Sequence, residues 1–231
     1  MNYHQLITIT LIAFTLFAGC IIPYILFRRY SKLDAFKVIV GSGLLIITLM
    51  IQPAIQAIPL MAISEKLRES LAFIAYAAGV SGFLQEGLKL AAVGRYRGSP
   101  LATLWIGYGF GIAETVLVAF NQVIAFYAGI PLSVFLLMMA SYERFITTMF
   151  HVSTTVLLAY SFKSNVIFTY AVLSLIHAGM NFGAGYVSII SQKGVFLSLL
   201  LLLYLIITVI VIPMVVISIR VCRQWLKAGM S

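Results

Sequence analysis

The chain has 231 residues, 62% of them hydrophobic and 9% charged, far below the roughly 25% charged of a soluble domain. Too little polar surface remains to cover a water-soluble globule, so composition points to an all-α, polytopic transmembrane helical bundle, with 1–231 as a single transmembrane domain. The net charge of +9 comes from 15 Lys and Arg that cluster at the ends of apolar runs, which argues for membrane topology and for no nucleic-acid partner.

Seven apolar spans follow in chain order. The first is Tyr3–Phe27, closed by Arg28, Arg29 and Lys32. It holds Cys20, and Phe17-Ala18-Gly19-Cys20 faintly resembles a lipoprotein cleavage site. The leader Met1 to Gln5, however, has no Lys or Arg, so the positive start of a signal peptide is missing. Cys222 lies in the C-terminal basic segment, and neither cysteine has a CxxC partner, which argues against a disulfide framework or a thiolate metal site. The second span is about Phe36–Ile63, followed by Glu65-Lys66-Leu67-Arg68-Glu69.

The third span, Leu71–Val93, carries Gln85-Glu86-Gly87-Leu88-Lys89. Glu86 and Lys89 stand three apart and can pair on one helix face. Pairing explains how charge is tolerated at membrane depth, and it also leaves a carboxylate that could activate a water. Gly94-Arg95-Tyr96-Arg97-Gly98-Ser99-Pro100 ends the span.

The fourth span, Leu101–Ala128, carries Gly107-Tyr108-Gly109-Phe110-Gly111 and then Glu114. Gly107 and Gly111 form a GxxxG pattern that permits close helix approach. The glycines lie inside an apolar helix with no preceding strand, so they are not a nucleotide loop. Glu114 faces roughly the same side as Gly111, as a catalytic carboxyl or as a hydrogen-bonding link to a neighbouring helix.

The fifth span, Leu132–Phe162, carries Glu143-Arg144 and His151. Arg144 and His151 are seven apart and share a face. Position favours reading Glu143-Arg144 as an interfacial pair near the outer end. The sixth span, Val166–Ile190, places His177 and Asn181 four apart on one face. The seventh, Val195–Ile219, is followed by a basic tail with Arg220, Arg223 and Lys227.

The positive-inside rule orients the bundle N-out, C-in. Arg28, Arg29, Lys32, Lys37, Arg95, Arg97, Lys163, Arg220, Arg223 and Lys227 then fall on the inner side. Only Lys66, Arg68 and Lys193 fall outside. With a rise of roughly 1.5 Å per residue, Glu86, His151 and His177 lie roughly 10–17 Å from the inner end of three different helices, and so can meet.

In order along the chain, Gln85-Glu86-x-x-Lys89, the glycine-rich run ending at Glu114, Glu143-Arg144 with His151, and His177-x-x-x-Asn181 resemble the YhfC family of intramembrane peptidases. That family is grouped with PrsW and the CPBP/CAAX prenyl endopeptidases. The match covers about Gly82 to Phe182. The resemblance implies peptide hydrolysis by a glutamate-activated water at Glu86, with His151, His177 and Asn181 orienting the water or holding the oxyanion. Glu114 would assist, and Gln85, Lys89, Glu143 and Arg144 would support the site.

The family is split on cofactor. The resemblance implies either a metallopeptidase or a metal-free glutamate-dependent enzyme; the residues that could hold a zinc are His151, His177 and a carboxylate, Glu86, although no HExxH motif is present. The family's first motif reads Glu-Glu, and this chain has Gln85 at the first position. That version also resembles the seven-span Aph subunit of gamma-secretase, which implies a catalytically silent scaffold binding other transmembrane helices. The expected partners are the lipid bilayer, a membrane protein or peptide substrate, and possible further transmembrane subunits. The expected location is a prokaryotic plasma membrane.

Overall fold

In the computed structural model of the protein, residues 3–63, 70–96, 99–191 and 196–230 are described. Arg97 on the inner side of the charge asymmetry, and Lys66, Arg68 and Lys193 on the outer, lie outside them. The elements are α1 (Tyr3–Leu16), a π-helical turn (Phe17–Ile21), α2 (Ile22–Phe27), α3 (Ala35–Ala62), α4 (Leu71–Arg95), a 3-10 turn (Pro100–Ala102), α5 (Thr103–Tyr127), α6 (Val134–Ser161), α7 (Val166–Ser191) and α8 (Phe196–Lys227). With α1 and α2 running on as one rod through the π-turn, the described residues form seven long helical rods and no strand. Helix is the expected outcome for apolar runs of this length, because in lipid every backbone polar group must be bonded within its own segment.

Side chains fix where helices begin. Asp34 caps α3 by accepting from the Lys37 backbone N–H at 3.1 Å, and Ser70 caps α4 by accepting from that of Phe73 at 3.1 Å. The turn between α5 and α6 runs through Gly129 at φ 71°, a backbone setting that costs glycine nothing. The π-turn also has a local cause. Pro23 has no N–H to give the carbonyl one helical turn back, and Ile22 N–H bonds instead to Phe17 O, five residues away. The Cys20 carbonyl in this turn accepts from Tyr108 Oη at 3.0 Å, which ties it to α5.

Six rods are long and apolar enough to cross a membrane, and the protein is an integral membrane helical bundle. The exception is α6. It has the length, 28 residues, but is too polar to qualify. The fifth expected span is therefore present as a helix but is not an apolar one. Its polarity matches its place: α6 packs against α1, α2, α4, α5, α7 and α8, and Arg144, Thr148, His151, Ser153, Thr154 and Thr155 are all buried. Where protein rather than lipid surrounds a helix, polar side chains find partners.

The C-terminal segment differs from expectation. Arg220, Arg223 and Lys227 belong to the last turns of α8 rather than to a separate tail. Val221, Cys222 and Trp225 are buried on the inward face of those turns and belong to the main core with Phe27, Trp105 and Leu158.

Glycines set how closely α5 approaches its neighbours. A Cβ on Gly107 would collide with the His151 carbonyl, the Val152 backbone and the Thr155 side chain, and one on Gly111 would stand 2.7 Å from Thr148 Cα. Gly109 faces the opposite way, onto the Val38 carbonyl of α3, where Gly41 in turn meets the Ile106 carbonyl. The Gly107–Gly111 pair is thus the contact with α6 that GxxxG anticipates. Gly109 and Gly41 add a second close contact, so α5 is clamped between α3 and α6.

Candidate active site

Close approach carries the polar residues inward. Gly82 on α4 sits against the Ser174 carbonyl of α7, and Glu86 and His177 follow about one turn later on the same two faces. His177 Nδ1 lies 2.8 Å from Glu86 Oε1. Likewise Gly111 seats α5 on α6, and Glu114, three residues on, meets Arg144 and His151.

Lys89 joins the two halves. Its Nζ donates to Glu86 Oε1 at 2.6 Å, to His151 Nδ1 at 3.0 Å and to Thr154 Oγ1 at 2.8 Å, which uses all three ammonium protons. The side chains of Glu86 and Lys89 are both 0% exposed, so the charges compensate each other away from water. The donor logic also fixes the histidines. His151 Nδ1 accepts from Lys89, so its Nε2–H donates to Glu114 Oε2 at 3.1 Å. His177 donates Nδ1–H to the Glu86 carboxylate, leaving its Nε2 as an acceptor.

The chain of contacts continues outward. Arg144 lies 3.4 Å from Glu114 Oε1 and also pairs with Glu143, which accepts from Tyr204 Oη at 2.9 Å. Arg144 is only 5% exposed, enclosed by neighbouring helices. It is a buried cation shared between two carboxylates. Glu143, with a side chain 40% exposed, is the outlying member. One unbroken network thus runs His177–Glu86–Lys89–His151–Glu114–Arg144–Glu143–Tyr204 across α4, α5, α6, α7 and α8.

Two cavities meet this network. The larger, about 530 Å³, is walled by α3, α4, α5 and α7 and includes Gln52, Ser81, Gln85, Glu114, His177 and Asn181. The smaller, about 90 Å³, is lined by Glu114, Glu143, Arg144, His177, Asn181 and Tyr204 among others. Glu114, His177 and Asn181 therefore form a wall common to both. Asn181 donates to Ser81 Oγ at 2.7 Å, and Gln85 Nε2 donates to the same oxygen at 3.0 Å and lies 3.2 Å from Gln52 Oε1.

All five residues expected to be catalytic thus gather in one region, but their access differs. Glu114, with its side chain 29% exposed, faces the cavities together with His177 and Asn181. Glu86 lies behind His177, with Oε2 buried and bonded to no protein atom. The metal expectation for His151, His177 and Glu86 does not fit. The Lys89 ammonium sits between Glu86 and His151, where it occupies Glu86 Oε1 and the His151 Nδ1 lone pair and places a positive charge where the ion would sit. Among the described residues, no three His, Cys, Asp or Glu side chains converge to hold an ion.

Sequence reasoning missed Tyr204, Thr154 as a Lys89 acceptor, and the Gln52–Ser81 edge of the cavity. Thr154 and Gln52 do carry a sequence signal, being polar residues inside long helices; Tyr204, one aromatic among many, carries none. Compared with known proteins, the chain matches no family model, no curated protein and no solved structure.

Proposed function

We propose that the protein is an intramembrane peptidase of the YhfC/CPBP type, hydrolysing a peptide bond of a membrane-embedded protein or peptide in a prokaryotic plasma membrane. The observation that carries this reading is the shared wall of Glu114, His177 and Asn181, an acid–base pair beside a carboxamide on a mainly apolar cavity. The order of motifs from Gln85 to Asn181 adds to it.

In this reading His177 is the base. Its Nδ1–H is committed to Glu86, which holds the ring and balances the charge it acquires. Nε2 takes a proton from a water positioned by Glu114 as the water oxygen bonds to the substrate carbonyl carbon. The carbonyl electron pair moves onto oxygen, where the carboxamide N–H of Asn181 that is not donated to Ser81 receives it. As the tetrahedral species collapses, the C–N bond breaks. The proton on Nε2 passes to the leaving nitrogen, giving a carboxylic acid and an amine. Glu86 therefore acts through His177, unlike the direct role that the family resemblance implies for it. Lys89, His151 and Arg144 hold Glu86 and Glu114 in place.

The test uses protein reconstituted in liposomes with a library of fluorescence-quenched transmembrane peptides. Wild type is expected to cleave a subset. His177→Gln is expected to slow cleavage by about 10²–10⁴-fold in a protein that still folds, and Glu114→Gln to slow it as much with a lowered unfolding temperature, because Arg144 loses a carboxylate. Full activity in a folded His177→Gln protein sinks the mechanism.

One observation favours the scaffold alternative: Lys89 is wholly satisfied inside the bundle, as a structural clasp would be. A transmembrane partner that co-purifies equally with wild type and His177→Gln, with no peptide cleaved by either, would decide for it.

A further inference from the structure

Away from the active site, a further cavity of about 400 Å³ opens between the π-turn, α2, the start of α3 and α5. Its walls are Ile21, Tyr24, Leu33, Val38, Ile39 and Ile112, with Ala35 and Tyr108 completing it. The two phenols are the only side-chain polar atoms there, and Tyr108 Oη is bound to the Cys20 carbonyl. The groove is accessible from the side: Leu33, in the connection before α3, is 50% exposed, and Ile39, on the apolar helix α3, is 67% exposed.

The chain segment between α2 and α3, beside the groove, has the opposite character. Arg28, Arg29 and Lys32 are exposed at the junction of α2 and α3, and among the described residues none is recorded in an ion pair with a carboxylate. The nearest acid in sequence, Asp34, is already used, capping α3 and pairing with Lys37 at 3.5 Å. The arginines are positioned by aromatic rings. Arg28 Cζ lies 6.0 Å from the centre of Tyr24, a groove wall, and Arg29 Cζ lies 4.9 Å from that of Tyr30. From the end of α2 at Phe27, Ile21 lies about 9 Å deeper at the helical rise, so the groove runs from the membrane surface into the hydrocarbon.

We propose that this groove is a binding site for an anionic phospholipid, with an acyl chain lying along Ile21, Val38, Ile39 and Ile112 and the head-group phosphate held by Arg28, Arg29 and Lys32. Charge complementarity selects the occupant. An apolar channel alone would take any lipid tail, but unpaired cations at its membrane-surface end favour a head group of net negative charge. The guanidinium pair adds directional donors for phosphate oxygens. The site is separate from the peptidase reading and stands whether or not that reading holds.

The test is native mass spectrometry of delipidated, detergent-purified protein. It is given phosphatidylglycerol and phosphatidylcholine with the same acyl chains in equal amounts. Wild type is expected to retain phosphatidylglycerol over phosphatidylcholine by at least about fivefold, roughly what one surface cation contributes. The triple variant Arg28→Gln/Arg29→Gln/Lys32→Gln should lose that preference. Ile39→Trp, at an exposed position over the groove, should lower retention of both lipids while the charges stay. Equal retention of the two lipids by wild type overturns the proposal. So does an undiminished preference in the triple variant, or displacement of the bound lipid by millimolar inorganic phosphate alone, since a free anion would then be the ligand.

Discussion

Lys89→Met is expected to lower the unfolding free energy by about 3–5 kcal/mol, the cost of removing one partner from a buried ion pair. The substitution keeps most of the side-chain volume and deletes the ammonium. Glu86 is then left fully buried with only His177 to compensate it, and His151 Nδ1 and Thr154 lose their donor. Reversible unfolding in mixed micelles measures the loss. The informative companion is Glu86→Gln/Lys89→Met, which removes both charges. It should recover much of the loss, because the penalty comes from the stranded carboxylate rather than from a missing attraction. If Lys89→Met unfolds like wild type, Lys89 is not the clasp between α4 and α6 described above.

The second large effect is expected at Gly107. Gly107→Ala places a methyl group on the His151 carbonyl and the Val152 backbone, where no flexible side-chain tip can yield. Overpacking of this kind costs about 1–3 kcal/mol, and the same displacement moves the segment of α6 that carries His151. Gly43→Ala is the control, since a Cβ there meets nothing within 4 Å. Its effect should be small, and slightly favourable from helix propensity. Equal stability of the two variants would show that α5 and α6 have room to separate, contrary to the glycine contacts.

Much of this architecture was legible in the sequence because lipid leaves the chain so few choices. Starts such as Leu71 and Val166 agree with the helices observed, and Glu86–Lys89 pair as their spacing requires. The shared face of Arg144 and His151 also holds: both reach one carboxylate, Glu114, from two turns apart. What the sequence hid were facts about neighbours. Hydropathy cannot say that α6 is enclosed by other helices, so the burial of Arg144 between two carboxylates was not legible. Spacing along α4 cannot say that Lys89 reaches α6 and fills the place where a metal was conceivable. Nor can one helix reveal that Glu86 stands behind His177 while Glu114 faces the cavity, because access depends on how four helices are arranged around the opening.

The polarity of α6 has a consequence for how the protein is made. A helix bearing Glu143, Arg144, His151 and a run of hydroxyl residues does not partition well into hydrocarbon on its own, since each central charge opposes insertion by about 2.5–3.5 kcal/mol. Its stability in the membrane is borrowed from Glu114 on the preceding helix and from Tyr204 two helices later. During synthesis α5 emerges first and carries its carboxylate into the bilayer, so the arginine of α6 has a counter-ion waiting. Tyr204 arrives only with α8, which makes the N-terminal half of α6 the last part to settle. A chain whose Glu114 is replaced is therefore expected to insert α6 less efficiently, since the helix then lacks its first partner.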